Sequence, residues 1–407
     1  MAARRGSLLF IFITIALDTI ALGIIIPVLP QLVEQFYSGD TAAAARMYGV
    51  LGSVWALMQF FCAPILGSLS DRYGRRPVLL LSCLGLGLDY IVMALAPNIG
   101  WLFLGRVLSG VCAASFTSAG AYIADVTPPE KRAAGFGMMG AAWGLGFVTG
   151  PAIGGLLGGL DPRTPFWAAA VMSLLNFLYG WFVLPESLPP EKRSAFSWKK
   201  ANPVGSLTLL RSHRDLLGLG SVSTLYFMGH QVLPSICVLY CGYRYGWGPK
   251  QMGLMLAVVG ILNMLVQGLL VKRVVAWLGD RRALLVGLFF GGAGFLWYAL
   301  APSGALFWFG APIFALVGFF NPASQSLMTR RVAVNEQGQL QGALGSIMGI
   351  TGVIAPLMFT ATFAHFIAPG RAWALPGAPF LLAAALTFAA LLIALGVARA
   401  PAPGTPA

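Results

Sequence analysis

The sequence is poor in charge: only 10% of its 407 residues are Asp, Glu, Lys or Arg, and only 13 are acidic. A soluble domain carries about 25% charged residues, so this composition cannot cover a water-exposed surface. Catalytic motifs are also missing. The chain has no G-x-x-x-x-G-K-[ST], no H-E-x-x-H and no nucleophile elbow in a soluble context. A soluble domain is therefore excluded, and we expect neither hydrolytic nor ATP-driven enzyme chemistry.

Cysteine is scarce too, and its positions are uninformative for metal or redox chemistry. All five cysteines lie inside apolar runs and show neither metal-ligand nor disulfide-framework spacing. We interpret them as small core residues and expect no bound metal. They are Cys62, Cys83, Cys112, Cys237 and Cys241.

Long apolar runs, in contrast, are abundant: 58% of the residues are hydrophobic and the mean hydropathy is +0.80. A bilayer core of about 30 Å requires about 20 apolar residues per helix. The sequence thus predicts an all-α membrane protein with twelve transmembrane helices. The predicted spans are residues 8–30, 46–69, 77–96, 99–123, 134–157, 165–184, 215–240, 250–271, 283–301, 304–328, 339–365 and 373–397.

The basic residues predict the orientation of these spans. Twenty of the 26 Lys and Arg residues fall on the side of the N-terminus and five on the opposite side, and Arg106 lies within a span. By the positive-inside rule, we expect a multi-pass protein of the cell inner membrane with both termini in the cytoplasm. The net charge of +13 is then a topology signal and lipid is the expected surroundings, so no nucleic-acid partner is expected.

The chain divides into two predicted six-helix halves, residues 1–184 and 215–407, joined by a basic, proline-containing cytoplasmic linker at 185–214. The halves match at an offset of 205 residues, pairing Gly74 with Gly279 and Pro151 with Pro356. Three further glycine pairs keep this register. We infer a duplication with parallel topology, which places a substrate path between the halves.

Three charged residues lie well within the predicted spans: Asp18, Asp89 and Arg106. Each costs about 2.5–3.5 kcal/mol at a helix centre, so each is expected to face a cavity or a partner. A carboxyl group in such a cavity can load and release protons, and an arginine can serve as its fixed counter-charge. The alternative is that Asp89 only satisfies a polar group on a neighbouring helix and that Arg106 has a structural role.

The fifth span carries glycines at four-residue spacing, Gly146, Gly150 and Gly154, together with Pro151. This spacing leaves one helix face without side chains and lets another helix approach closely, while proline bends the helix. A hinge or sealing role is favoured over ordinary small-residue packing. In the second half, weaker candidates for facing a cavity are His230, Gln231, Asn263, Gln267, Asn321 and Gln325.

The connection G-S-L-S-D-R-Y-G-R-R-P at residues 67–77 is predicted to be a tight charged turn between two spans. It resembles the loop signature of the major facilitator superfamily, and L-G-R-V-L-S-G (104–110) and G-x-x-x-G-P-x-x-G-G (146–155) resemble two further signatures of that superfamily. The stretches at 17–30, 56–64, 122–125 and 337–342 are similar to those of bacterial tetracycline/proton antiporters. The resemblance covers nearly the whole chain.

The resemblance implies the major facilitator fold and proton-driven export of an amphipathic compound by a monomer. It implies no cofactor besides the proton gradient, although the substrate could carry a chelated divalent metal. Asp18, Asp89, Gln59 and Arg106 correspond to proton- or drug-handling residues, and Asp125 to the acid at the end of the fourth helix. The gating segment comprises Gly67, Asp71, Arg72, Gly74, Arg75 and Arg76, and the antiporter signature comprises Gly146, Gly150, Pro151, Gly154 and Gly155.

Two departures separate the chain from the tetracycline exporters. Gly291 stands where they have an aspartate, and Asn263 where they have a histidine. The substrate therefore need not be tetracycline. Two alternatives stay open: a proton-coupled or facilitative transporter of another small solute, and a receptor or scaffold built on a transporter fold.

Overall fold

A computed structural model of the chain describes residues 2–113, 115–128, 131–196, 207, 209, 214–333, 336–368 and 374–397. In these ranges the secondary structure is helical, without strands. The first eight helices are α1 (Ala2–Ile25), α2 (Leu29–Phe36), α3 (Thr41–Tyr73), α4 (Arg75–Ala94), α5 (Ile99–Cys112), α6 (Ser115–Val126), α7 (Arg132–Gly158) and α8 (Thr164–Val183). The others are α9 (Arg214–His230), α10 (Val232–Tyr245), α11 (Pro249–Leu265), α12 (Val271–Leu300), α13 (Gly304–Ala315), α14 (Phe320–Thr329), α15 (Gln337–Ile367) and α16 (Ala378–Val397).

Eleven helical stretches of the described residues are long and apolar enough to cross a bilayer, against twelve predicted spans. The difference lies in Pro249–Leu300, a stretch of 52 residues that contains the predicted spans 250–271 and 283–301. Gly279 lies between these spans and has non-helical angles, φ 77° and ψ 161°. Since one crossing takes about 20 residues, this kinked stretch provides two. The predicted all-α architecture with twelve transmembrane helices is confirmed.

Several predicted spans are broken helices, which the sequence analysis did not anticipate. The first span is interrupted by the turn that separates α1 from α2, and the fourth is interrupted at Ala113 between α5 and α6. Comparable breaks recur about one repeat length later, at Gln231 between α9 and α10 and at the 3₁₀ turn Leu316–Phe319 between α13 and α14. This recurrence supports the internal duplication inferred from the glycine register.

The described chain forms two compact units. The first comprises Met1–Asp40, Val54–Asn202 and Trp247–Ala257, and the second comprises Thr41–Ser53, Pro203–Gly246 and Val258–Ala407. Helices α3 and α11 therefore each contribute residues to both units. In the first unit, a buried cluster around Ile15, Tyr122 and Leu184 ties α1 to α6 and to the end of α8. In the second unit, buried Tyr240, Phe307 and Phe380 pack as an aromatic cluster.

Candidate functional site

The 67–77 segment is almost entirely helical, so its prediction as an eleven-residue turn was wrong. Helix α3 continues to Tyr73 and α4 begins at Arg75, which leaves Gly74 as the only non-helical residue between them. Gly74 has φ 106° and ψ 159°, a conformation that residues with a Cβ rarely adopt. Any side chain at this position would also collide with the carboxylate of Glu186.

Arg75 joins three predicted site residues into one network. Its guanidinium Nη1 lies 2.5 Å from Asp71 Oδ1, and its Nε donates to Asp125 Oδ2 at 3.1 Å. Nη1 also donates to Ser70 Oγ at 2.7 Å, and Arg75 is 8% exposed. One buried guanidinium thus holds the end of α3, the start of α4 and the end of α6 together.

The two other predicted gating cations stand apart from this network. The Arg72 guanidinium carbon lies 5.1 Å from the ring centroid of the adjacent Tyr73. Arg76 donates to the backbone carbonyl of Trp181 and its guanidinium carbon lies 5.9 Å from that indole. Arg75 is therefore the arginine of this segment that connects the helices by ion pairs.

Glu186 completes the segment, although the sequence analysis did not single it out. Its carboxylate accepts hydrogen bonds from the backbone N–H groups of Arg75 at 2.9 Å and Arg76 at 3.2 Å. These are N–H groups that the first turn of α4 leaves without a partner in the helix, and a carboxylate is the favoured group there. The backbone N–H of Ser194 donates to the Asp71 carbonyl at 3.1 Å. The first residues of the predicted linker therefore pack on the gating segment.

The second unit contains a copy of this ion pair with the charges exchanged. Asp280 Oδ2 lies 2.9 Å from Arg330 Nη2 and accepts from Ser326 Oγ at 2.8 Å. Positions 280 and 330 are each 205 residues after Arg75 and Asp125, and Gly279 repeats the positive φ of Gly74. Asp280 directly follows Gly279 and supplies a negative charge at this helix start itself. A second carboxylate, in the role that Glu186 has at the start of α4, is therefore not required there.

Asp18 and Arg106 line one pocket inside the first unit, as the sequence predicted for charges within spans. The same pocket is lined by Trp55, Leu86, Tyr90 and Ser109. Asp18 is 7% exposed and Arg106 is 8% exposed. The pocket therefore brings a carboxylate and a guanidinium to a largely apolar interior, in which their interaction with a ligand is strong.

Asn176 fixes the carboxylate of Asp18. Its amide Nδ2 donates to Asp18 Oδ1 at 2.9 Å and to the Thr14 carbonyl at 2.9 Å, and its side chain is fully buried. The thiol of Cys83 lies 3.8 Å from the same oxygen. Asn176 is a site residue that the sequence analysis missed, although an amide within an apolar run is a detectable signal.

Asp89 is completely buried on α4, behind this pocket. Arg106 and Ser109 lie nearby, but among the described residues neither carboxylate oxygen makes a hydrogen bond of ordinary geometry. A Cβ at Gly105 would lie 2.8 Å from Asp89 Oδ1, so this glycine provides the space for the carboxylate. Leaving a charged carboxylate in this position costs several kcal/mol, so the position suits a group that takes up a proton. Predicted Gln59 is half-buried on α3, one turn after Trp55.

The glycines of α7 allow the close approach that their spacing predicted. A Cβ at Gly150 would lie 2.6 Å from the Cα of Gly23, and Gly146 and Gly154 contact α1 one turn on either side. Gly155, on a different face, touches the backbone of Gly253. Helix α7 continues through Pro151 without interruption.

The second unit lacks the acid that the tetracycline exporters have in their ninth helix. Gly291 is buried, and a Cβ there would lie 2.7 Å from Val317 Cγ2, so the position has no room for a side chain.

Asn263 donates to the Val259 carbonyl of its own helix at 3.0 Å. The weaker candidate Gln325 donates through Nε2 to Gln341 Oε1 at 3.1 Å. His230 lies between the rings of Tyr226 and Phe314, as a packing residue would, and Gln231 occupies the break between α9 and α10.

Comparison with known proteins agrees with this architecture. The model of the Major Facilitator Superfamily matches residues 11–356. The chain is 39% identical to tetracycline resistance protein class C of Escherichia coli over 93% of this chain and 95% of that protein. It is 37% identical to the class G protein of Vibrio anguillarum over 91% and 93%. Its fold matches the crystal structure of nucleoside transporter NupG with a TM-score of 0.78 at 13% identity, covering 97% and 99% of the chains. The chain is a multi-pass membrane transporter that belongs to the Major Facilitator Superfamily.

Proposed function

We propose that this transporter exports an amphipathic compound from the cytoplasm in exchange for protons, by alternating access. The observation that carries the proposal is the pocket that Asp18 and Arg106 both line, with buried Asp89 next to Arg106. Intramembrane ionisable residues are costly and are retained for substrate or proton pathways. Tetracycline is the first candidate substrate, because relatives at 37–39% identity carry the name tetracycline resistance protein.

In this mechanism the two acids have different tasks. Among the described residues, Asp89 has no hydrogen-bond partner of ordinary geometry, so it suits the role of the group that takes up and releases the proton. Asp18 is held by Asn176 and lines the pocket, so it suits substrate contact and coupling. Arg106 lines the pocket and interacts with Asp89, the proposed proton site, so it supplies a permanent positive charge to both.

The Arg75 network suits the gate of this cycle. The guanidinium holds three helix ends through ion pairs that a helix movement would break, so it favours one conformational state. We place this gate at the cytoplasmic face of the cell inner membrane, with both chain termini on that side, following the distribution of basic residues. We propose a functional monomer without a cofactor, the proton gradient supplying the energy; the transported species is either the free compound or its chelate with a divalent metal.

A second candidate is a proton-coupled or facilitative transporter of another small solute. Gly291 and Asn263 favour it, because the acid and histidine of the tetracycline exporters are both replaced and the Gly291 site is closed by packing. The gate and the first-unit acids would serve either substrate equally well.

Inverted membrane vesicles test the proposal, since export from the cytoplasm becomes uptake into the vesicle. We expect tetracycline uptake driven by an acidic lumen, its collapse on adding a protonophore, and its loss in Asp89→Asn. Uptake that persists after the gradient is dissipated would refute proton coupling. Absence of tetracycline uptake, with gradient-driven uptake of another compound from a drug panel, would favour the second candidate.

A further inference from the structure

Trp55, on α3, lines the Asp18–Arg106 pocket. The guanidinium carbon of Arg106 lies 5.4 Å from the Trp55 ring centroid, a cation–π distance. Both side chains line the pocket, together with Asp18. The indole therefore lies over the arginine that the sequence places deep within the fourth predicted span.

Gly110 explains why the indole reaches this position. A Cβ at Gly110 would lie 2.6 Å from the Trp55 carbonyl oxygen and 3.2 Å from the Trp55 Cα. Arg106 precedes Gly110 by one helical turn on the same face of α5. The spacing of arginine and glycine on α5 thus brings the α3 backbone close and sets the indole over the guanidinium.

The indole N–H is a donor without an acceptor. Trp55 Nε1 is buried and has no hydrogen-bond partner among the described residues. A buried donor that stays unpaired is unfavourable, and a tryptophan normally satisfies it. Ser109 adds a hydroxyl to the same wall, and Arg106 adds a charged donor.

We propose that Trp55 is a specificity-determining residue whose indole N–H, beside Arg106, binds an anionic or enolic oxygen of the transported compound. The inference rests on the proposed function and adds a residue that recognises the transported compound: the indole N–H selects a compound that carries an enolate, phenolate or carboxylate oxygen. The indole N–H discriminates against compounds that lack such an oxygen, because this buried donor would then stay unpaired. The positive charge of Arg106, 5.4 Å from the ring centroid, favours an anionic oxygen at the same place.

Equilibrium binding to the purified full-length protein in nanodiscs tests this role without requiring transport. The probes are tetracycline and anthracene-9-carboxylate, both of which carry an acidic oxygen on a flat ring system. Trp55→Phe keeps an aromatic face and removes the N–H, and we expect it to weaken binding of the probe by about tenfold, the loss of one hydrogen bond to a charged acceptor. Trp101→Phe, at an exposed tryptophan outside the pocket, is the matched control and should leave Kd unchanged.

The outcomes separate the inference from the proposed function. Unchanged Kd in Trp55→Phe, or no binding of either probe to the wild-type protein, would overturn the role of Trp55. If Trp55→Phe binds the probe more weakly than the wild type, and the wild type shows no gradient-driven uptake, the role of Trp55 is supported and antiport is refuted. If Trp55→Leu binds the probe as tightly as Trp55→Phe, the loss of affinity is due to the N–H. If Trp55→Leu binds more weakly than Trp55→Phe, the aromatic ring also contributes to the affinity.

Discussion

The two ion pairs related by the repeat should contribute very differently to stability. Arg75 and Asp125 have side chains that are 10% and 24% exposed, whereas Asp280 is 10% and Arg330 is 70% exposed. A largely buried, hydrogen-bonded charge pair couples by about 1.5–3 kcal/mol, while a pair with one exposed partner couples by about 0.2–1 kcal/mol. We therefore expect a coupling of about 2 kcal/mol for Arg75–Asp125 and about 0.5 kcal/mol for Asp280–Arg330.

Double-mutant cycles measure both numbers. The variants Arg75→Ala, Asp125→Ala and their combination form one cycle, and Asp280→Ala with Arg330→Ala forms the other. Free energies of unfolding are taken from titrations of the purified protein in mixed micelles. Because Arg75 also pairs with Asp71, the single change should cost more than the coupling alone, about 3 kcal/mol.

Arg72→Ala serves as the control for this cycle, since its guanidinium faces the adjacent Tyr73 and lies outside the network. It should alter the free energy of unfolding by less than about 0.5 kcal/mol. Equal coupling energies for the two pairs would show that burial does not govern their strength. A larger value for Asp280–Arg330 would refute the reasoning outright.

Three further predictions concern substitutions that each alter the contacts of a single residue. Asn176→Leu removes the hydrogen bonds to Asp18 Oδ1 and to the Thr14 carbonyl, so it should lower the free energy of unfolding by about 1–3 kcal/mol and abolish gradient-driven uptake; normal uptake would refute the positioning role of Asn176. Gly150→Leu, which collides with α1, should prevent accumulation of folded protein on a fluorescence-detected gel filtration profile, whereas Gly140→Ala, with open space around its Cβ, should not. Gly291→Asp forces a carboxylate into packed core and should cost about 2 kcal/mol without adding transport; improved tetracycline uptake would contradict that account.

The spans could be predicted because lipid requires long apolar runs and self-satisfied helices. The connection at 67–77 could not, because its charged composition is typical of a turn. What shortens it to one residue is the φ of Gly74 and the carboxylate of Glu186, which lies 111 positions after Arg75. Such a contact between distant segments leaves no periodic trace in the sequence.

Part of the candidate site could also be predicted from the sequence, because lipid makes charges within apolar runs conspicuous. Asp18, Asp89 and Arg106 stand out as charges within apolar runs, and the structure places Asp18 and Arg106 on one pocket with Asp89 behind it. Asn176 was missed although an amide within an apolar run is a detectable signal. Trp55 carries no charge and is one of 11 tryptophans in the chain, so composition alone does not distinguish it. The Asp280–Arg330 pair was hidden because its charges are reversed relative to Arg75 and Asp125.

Proton movement that accompanies substrate movement tests the central claim most directly. Inverted vesicles containing the protein are acidified, and the luminal pH is followed with a fluorescent amine while tetracycline, or the substrate found in the drug panel, is added outside. Antiport predicts that the substrate makes the lumen more alkaline, because protons leave as substrate enters, and that Asp89→Asn abolishes this response. A lumen whose pH is unchanged while substrate accumulates would contradict proton-coupled export.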